Sequence, residues 1–158
     1  KVIPLPGHSF DMVGFRISDR VDYLADCLSS PETLSKFQIC FLVDVESYLN
    51  TLEQVKRMEA GLFIPAHAEP VKDIAPLAQL NIDKVHEIGE KIVAICEEPI
   101  SFEMILKRLF DAYNLTMTFE QHALVGSTVR SYLSWLSGAG RIKAEFDQNI
   151  LLWRKRHL

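Results

Sequence analysis

The strongest constraint on this chain is a change of hydrophobic period near residue 77. Before it, apolar residues fall in short runs at 2–5, 13–17, 21–25 and 62–65, separated by turn-rich stretches at 7–12 and 18–20. Runs of four or five residues bounded by Gly, Pro, Ser and Asp read as β-strands, and strands this apolar need a cover on at least one face. After it, the spacing is helical. Val85, Ile88, Ile92 and Ile95 mark one amphipathic helix that ends near Pro99. Phe102, Ile105, Leu106, Leu109 and Phe110 mark a second, with Ser101 as its cap. Thr118 with Gln121 fits a capping box that opens a third, running to about Ser137. Ile142, Ala144 and Phe146 then alternate with Lys143 and Glu145, a turn follows at 147–149, and the chain returns over 150–154. Two domains are therefore expected, 1–76 and 77–158, the second with the element order of a small α+β winged helix.

The first domain also carries helices. Pro31 opens a short one reaching Phe37. Val45, Tyr48, Leu49, Leu52, Val55 and Met58 lie on one face of a longer one, with Asp44 as N-cap and Gly61 as its stop. Pro65 and Pro70 bracket a loop at 66–70.

Composition removes several classes of function. Hydrophobic residues make up 48% and charged residues 24%, which excludes a disordered tail. The longest apolar run, Ile39-Cys40-Phe41-Leu42-Val43, is far too short for a membrane span. Three cysteines without a CxxC pair argue against a disulfide framework and point to a reducing compartment, the cytoplasm. A net charge of -4 gives no general attraction to nucleic acid or anionic lipid. Residues 1–82 hold 7 basic and 11 acidic side chains and residues 83–158 hold 10 of each, so the acidity lies in the first domain.

Three polar residues follow expected strands: His8, Asp26 and His67. A strand end is held rigidly by its sheet while its side chain faces a loop, which is a common setting for a site. Two imidazoles and a carboxylate suit zinc and similar divalent ions. A chain with 5 His and 21 acidic residues also offers such triples on a solvated surface. Cys27 is a soft donor, yet as the neighbour of Asp26 on a strand it faces the other side and reads as a buried structural thiol. Ser9 has no base placed beside it, and Glu69 reads as a solvated loop acid. His86, His122 and His157 read as surface or interface residues, and Trp135 and Trp153 as packing for the small domain.

The wording around the triple resembles the metallo-beta-lactamase superfamily. Leu5-Pro6-Gly7-His8-Ser9 with the later Val13-Gly14-Phe15 resembles its third metal motif. Leu24-Ala25-Asp26-Cys27-Leu28 resembles its fourth, GDxL, with Ala25 in place of glycine. Ile64-Pro65-Ala66-His67-Ala68-Glu69-Pro70 resembles its fifth, PGHGxP, with Ala66 and Ala68 in place of two glycines. Asp11-Met12 stands where the family often has Gly-Ser. The family's first signature, HxHxDH, is absent, since no two histidines here are separated by one residue. The resemblance, over about residues 1–75, thus implies the C-terminal half of an α/β, αββα sandwich, followed by a winged helix as on one branch of the family, glyoxalase II-like or beta-lactamase-like. It also implies that Lys1 stands at a cut within a longer protein.

The function implied is part of a hydrolase using two divalent ions, zinc first, with manganese or iron as alternatives. His8 would ligate one ion, His67 the other, and Asp26 would bridge them as the catalytic carboxylate, activating water against an ester, thioester, phosphodiester or lactam. Each ion would have at most two ligands from this chain, so the chain alone is expected to be inactive. Half a sandwich also exposes a sheet face, to be covered by a second copy or by the missing N-terminal half. The alternative is a winged-helix nucleic-acid or protein-interaction module on a degenerate hydrolase scaffold. Against DNA binding, the third helix carries only Arg130 as a basic residue, although Arg141, Lys143, Arg154, Lys155 and Arg156 make the hairpin basic.

Overall fold

The structure is a computed structural model that describes residues 1–18 and 20–157, and it divides into two compact units, Lys1–Val85 and His86–Leu158. Asp19, in the turn expected at 18–20, lies outside the described residues.

In the first unit, β1 (Val2–Pro4), β2 (Val13–Arg16), β3 (Val21–Ser29) and β4 (Leu62–His67) form one sheet in that order. β1, β2 and β3 are antiparallel neighbours, and β4 lies parallel to β3. A parallel return needs a long crossover. Here it contains α1 (Pro31–Phe37) and α2 (Val45–Lys56). Both begin where sequence signals put them. The Ser30 side chain accepts from Thr33 N–H ahead of Pro31, and Asp44 accepts from Ser47 N–H. α2 buries Tyr48, Leu52 and Val55 with Leu5, Leu24, Leu28 and Phe63 of the sheet side. It stops at Arg57, four residues before the expected Gly61.

The opposite face of the sheet is uncovered. Val2, Phe15, Tyr23 and Ile64 stand in register across all four strands. Val2, Phe15 and Tyr23 are 54%, 50% and 43% exposed. Beside that row Asp22 is wholly buried, held by two Arg16 hydrogen bonds of 2.6 and 2.5 Å, while Arg16 donates a third to Glu59 O at 2.8 Å. The Asp22 hydrogen bonds hold the Arg16 guanidinium above its usual pKa.

The boundary between units falls within α3 (Ala75–Ile95). This helix starts ten residues before the first residue of its apolar spacing, with Asp73 accepting from Ala75 N–H and Pro76 in its first turn. The second unit continues with β5 (Ile100–Ser101), α4 (Phe102–Ala112), α5 (Phe119–Gly138), β6 (Ile142–Asp147) and β7 (Ile150–Lys155). Its sheet order is β5-β7-β6, a third strand that the sequence pattern did not suggest. Thr118 caps α5 by accepting from Gln121 N–H, whereas Ser101 stands at the cap position of α4 without a side-chain bond. Gln148 and Asn149 both have positive φ (46° and 67°), the backbone of a two-residue hairpin turn. The core gathers Ile92, Ile105, Leu106, Leu109, Val129, Tyr132, Leu133 and Ile142.

Candidate metal centre around Asp26

His8 sits in a tightly bound loop between β1 and β2. Leu5 N–H donates to Met12 O at 2.8 Å and closes the loop, and Gly7 N–H donates to Ser9 O at 3.0 Å within it. Gly7 O accepts from Val43 N–H and Asp44 N–H, and Pro6 O accepts from the Thr51 hydroxyl, so the loop is tied to the start of α2. Glycine is needed at position 7 because φ is +128° and a Cβ would lie 2.4 Å from the Tyr48 Cα. Gly14 is needed for a different reason, since a Cβ there would meet Tyr23 O at 2.4 Å. The His8 ring packs edge-on against Phe41, 5.6 Å between centroids.

Asp26 lies inside β3, not beyond its end as the sequence suggested. Simple alternation from the buried Asp22 and Leu24 would turn Asp26 into the core. The pairing with β4 instead shifts register on either side of Ala25, which has φ +48°. This bulge reverses the strand's parity, leaving the Asp26 side chain 42% exposed while Cys27 becomes wholly buried. Burial and the neighbouring Asp26 charge push the Cys27 thiol up to about 12, which makes it inert as a ligand or nucleophile. An alanine in the left-handed region costs about 1 kcal/mol relative to glycine. Ala25→Gly should therefore raise stability by about 0.5–1 kcal/mol, and Ala25→Val should lower it by about 1–2 kcal/mol, read from urea midpoints. Equal midpoints for both variants would remove strain at Ala25 from the account.

His67 is the last residue of β4, two places beyond the expected end of that strand. Its carbonyl accepts from Ser30 N–H at 3.0 Å. The adjacent end of β3 is gripped by Asn81 of α3, whose amide accepts from Ser29 N–H at 3.0 Å and donates to Ser29 O at 2.9 Å. Asn81 is buried and also contacts the Tyr48 hydroxyl at 3.4 Å. Sequence reasoning missed it. The available signal was an amide at a core-facing position of a helix, visible only once α3 is started at Ala75.

The three residues singled out by sequence meet at one carboxylate. His67 Nε2 lies 3.3 Å from Asp26 Oδ1, and His8 Nε2 lies 3.8 Å from Asp26 Oδ2. Ser9 and Glu69 are in loops and exposed. In kind, the donor set suits zinc. In number it falls short: among the described residues no group of three or more His, Cys, Asp or Glu side chains is placed to hold an ion. The two imidazoles stand on separate oxygens of Asp26 rather than around one point. A complete metal centre does not fit within these residues, because among the described residues an ion beside Asp26 would find too few protein donors.

The whole chain has the fold of known metallo-beta-lactamase-like structures. It matches a metallo-beta-lactamase family protein from Thermus thermophilus with a TM-score of 0.77 and 15% identity, over 99% of this chain and 49% of that one. It matches a beta-lactamase domain protein from Burkholderia ambifaria with a TM-score of 0.71 and 17% identity, over 99% of this chain and 48% of that one. The chain thus spans about half the length of either structure. No protein-family model and no curated protein sequence matches it. Among the described residues no helix is long and apolar enough to cross a membrane.

Proposed function

We propose that this chain forms part of a metal-dependent hydrolase of the metallo-beta-lactamase kind and contributes His8, Asp26 and His67 to its centre. The observation that carries the reading is the meeting of two imidazole nitrogens on opposite oxygens of one carboxylate. Divalent ions, zinc first, with manganese or iron as alternatives, would be held here by Asp26 together with His8 and His67. Such ions, when bound, supply Lewis acidity and activated water for attack on an ester, thioester, phosphodiester or lactam. The remaining donors would come from another polypeptide segment, in keeping with structural neighbours about twice this length.

The chain alone is expected to bind zinc weakly and to hydrolyse nothing. Zinc competition against a chromophoric chelator should show binding that falls at least tenfold in the triple variant His8→Ala, Asp26→Asn, His67→Ala. With zinc or manganese added, a chromogenic lactam, a nitrophenyl ester, a nitrophenyl phosphodiester and a glutathione thioester should all remain uncleaved. Turnover by the purified chain overturns the partial-site reading, and unchanged zinc binding in the triple variant overturns the ligand assignment.

For the second unit we propose a winged helix serving as a wall or a protein contact. Supporting this are the order α4, α5, β6, β7 and the third strand β5 beside the hairpin. Weighing against a nucleic-acid role, three of the five basic side chains of the hairpin region are paired with carboxylates, leaving Arg154 and Arg156. Arg141, Lys143 and Lys155 lie 2.9, 3.3 and 2.6 Å from Glu90, Glu145 and Glu97. The free thiols Cys27, Cys40 and Cys96 suit a reducing compartment such as the cytoplasm.

A further inference from the structure

The second unit holds a cavity of about 430 Å³ between α5 and β7, lined by Phe102, Arg130, Leu133, Ser134, Ser137, Leu151 and Trp153. On α5 its lining follows one helical face, with Arg130, Leu133, Ser134 and Ser137 at spacings of three, four and seven. The Arg130 guanidinium is stacked on the Phe102 ring, 3.8 Å from its centroid. Gly126, one turn earlier, lies beside that stack, where an added Cβ would make only ordinary contact with an Arg130 terminal nitrogen at 3.5 Å. Lys91, Lys107, Arg141, Lys143 and Lys155 each lie within 4 Å of a carboxylate. Arg130, like Arg108, Arg154 and Arg156, has no carboxylate partner among the described residues; what sets it apart is that an aromatic face holds it at the cavity.

The other wall is apolar and grades outward. Ile142, Ala144 and Phe146 on β6 share a sheet face with Leu151 and Trp153 on β7. Ile142 is fully buried, Trp153 half-buried, Leu151 37% exposed and Phe146 74% exposed. The hairpin therefore carries its apolar face past the point where the helices cover it, and the cavity lies where that cover ends. A planar guanidinium held in place reads a carboxylate through two parallel hydrogen bonds. Ser134 or Ser137 can add a third. At about 430 Å³ the space lies toward the lower end of the range of small-ligand pockets, about 300–1,000 Å³.

We propose that this cavity binds a small organic carboxylate with an aromatic or branched apolar body. The carboxylate pairs with Arg130, and the body lies on Leu133, Leu151 and Trp153. One anion-reading group beside an apolar wall fits such a ligand better than a nucleic-acid strand, which needs a track of cations.

The test uses 4-phenylbutyrate and its neutral amide, titrated into the whole chain while the Trp153 indole N–H is followed by NMR. The acid should saturate below 10 mM, with the amide at least tenfold weaker. Arg130→Gln should erase that preference at an unchanged melting midpoint, Arg130→Lys should restore part of it, and Leu151→Asp should weaken both ligands at least fivefold. Equal binding of acid and amide overturns the proposal. So does a preference that survives Arg130→Gln, or no shift at 10 mM. Occupation by a second copy, seen as a midpoint that rises with protein concentration and vanishes in Leu151→Asp, overturns it as well. So does displacement of the acid by a short oligothymidylate.

Discussion

Gly7→Ala should cost the first unit about 3 kcal/mol or more and lower its melting midpoint by roughly 10–20 °C. Two independent effects add. The backbone at position 7 has φ +128°, which an L side chain rarely adopts, and the new Cβ would sit 2.4 Å from Tyr48 Cα. Tyr48 Cα belongs to the first turns of α2, whose Asp44 cap is itself hydrogen-bonded to Gly7 O. Neither partner can yield without moving the helix off the sheet. The loop would have to lift instead, breaking the two bonds to Gly7 O and the Thr51 bond to Pro6 O, and carrying His8 away from Asp26. The control is Gly138→Ala at the end of α5, where nothing lies within 4 Å of the added carbon. That change should leave stability equal or slightly higher. Thermal unfolding followed by circular dichroism gives both numbers. A Gly7→Ala midpoint equal to that of Gly138→Ala would mean that the loop is not clamped to α2.

The elements legible in the sequence are those whose signals are local. α2 has an unbroken apolar face and a capping aspartate, α5 has a capping threonine, and the first arm of the hairpin alternates strictly before a clear turn. The illegible features depend on neighbours distant along the chain. Asp26 faces the site only because β3 bulges at Ala25, and alanine carries no turn signal of its own. Asp22 stands at a core position because Arg16 is directly across from it in β2, a register that a turn of unknown length hides. Asn81 grips Ser29 across 52 residues of sequence. His8, Asp26 and His67 were readable as a set because each follows a short apolar run, and the fold brings their side chains together.

The uncovered face of the β1–β4 sheet should drive association. The row Val2, Phe15, Tyr23 and Ile64 joins Pro4 paired with Val13 in an adjacent row, so apolar side chains are contiguous rather than scattered. With aromatic residues contributing about 150–250 Å² each when fully buried, half-exposed Phe15 and Tyr23 leave on the order of 200 Å² uncovered between them. Together with Val2, Val13 and the exposed Ile17, the patch reaches the range in which monomeric proteins rarely leave apolar surface open. We propose a second sheet as its cover, packed face to face about 10 Å away, because an in-register apolar row matches the inner face of a sandwich. When the chain is alone, a second copy is the available sheet. Sedimentation equilibrium between about 5 and 200 µM should then show a mass rising from one copy toward two or more. Phe15→Lys combined with Tyr23→Thr should keep it at one copy throughout, because a charge at the centre of the row must be desolvated for the faces to meet. Both positions point away from α2, so the double variant should unfold within a few degrees of the parent chain. A parent chain that stays monomeric at 200 µM, or a double variant that associates equally well, would show that this face is not what brings a partner to the fold.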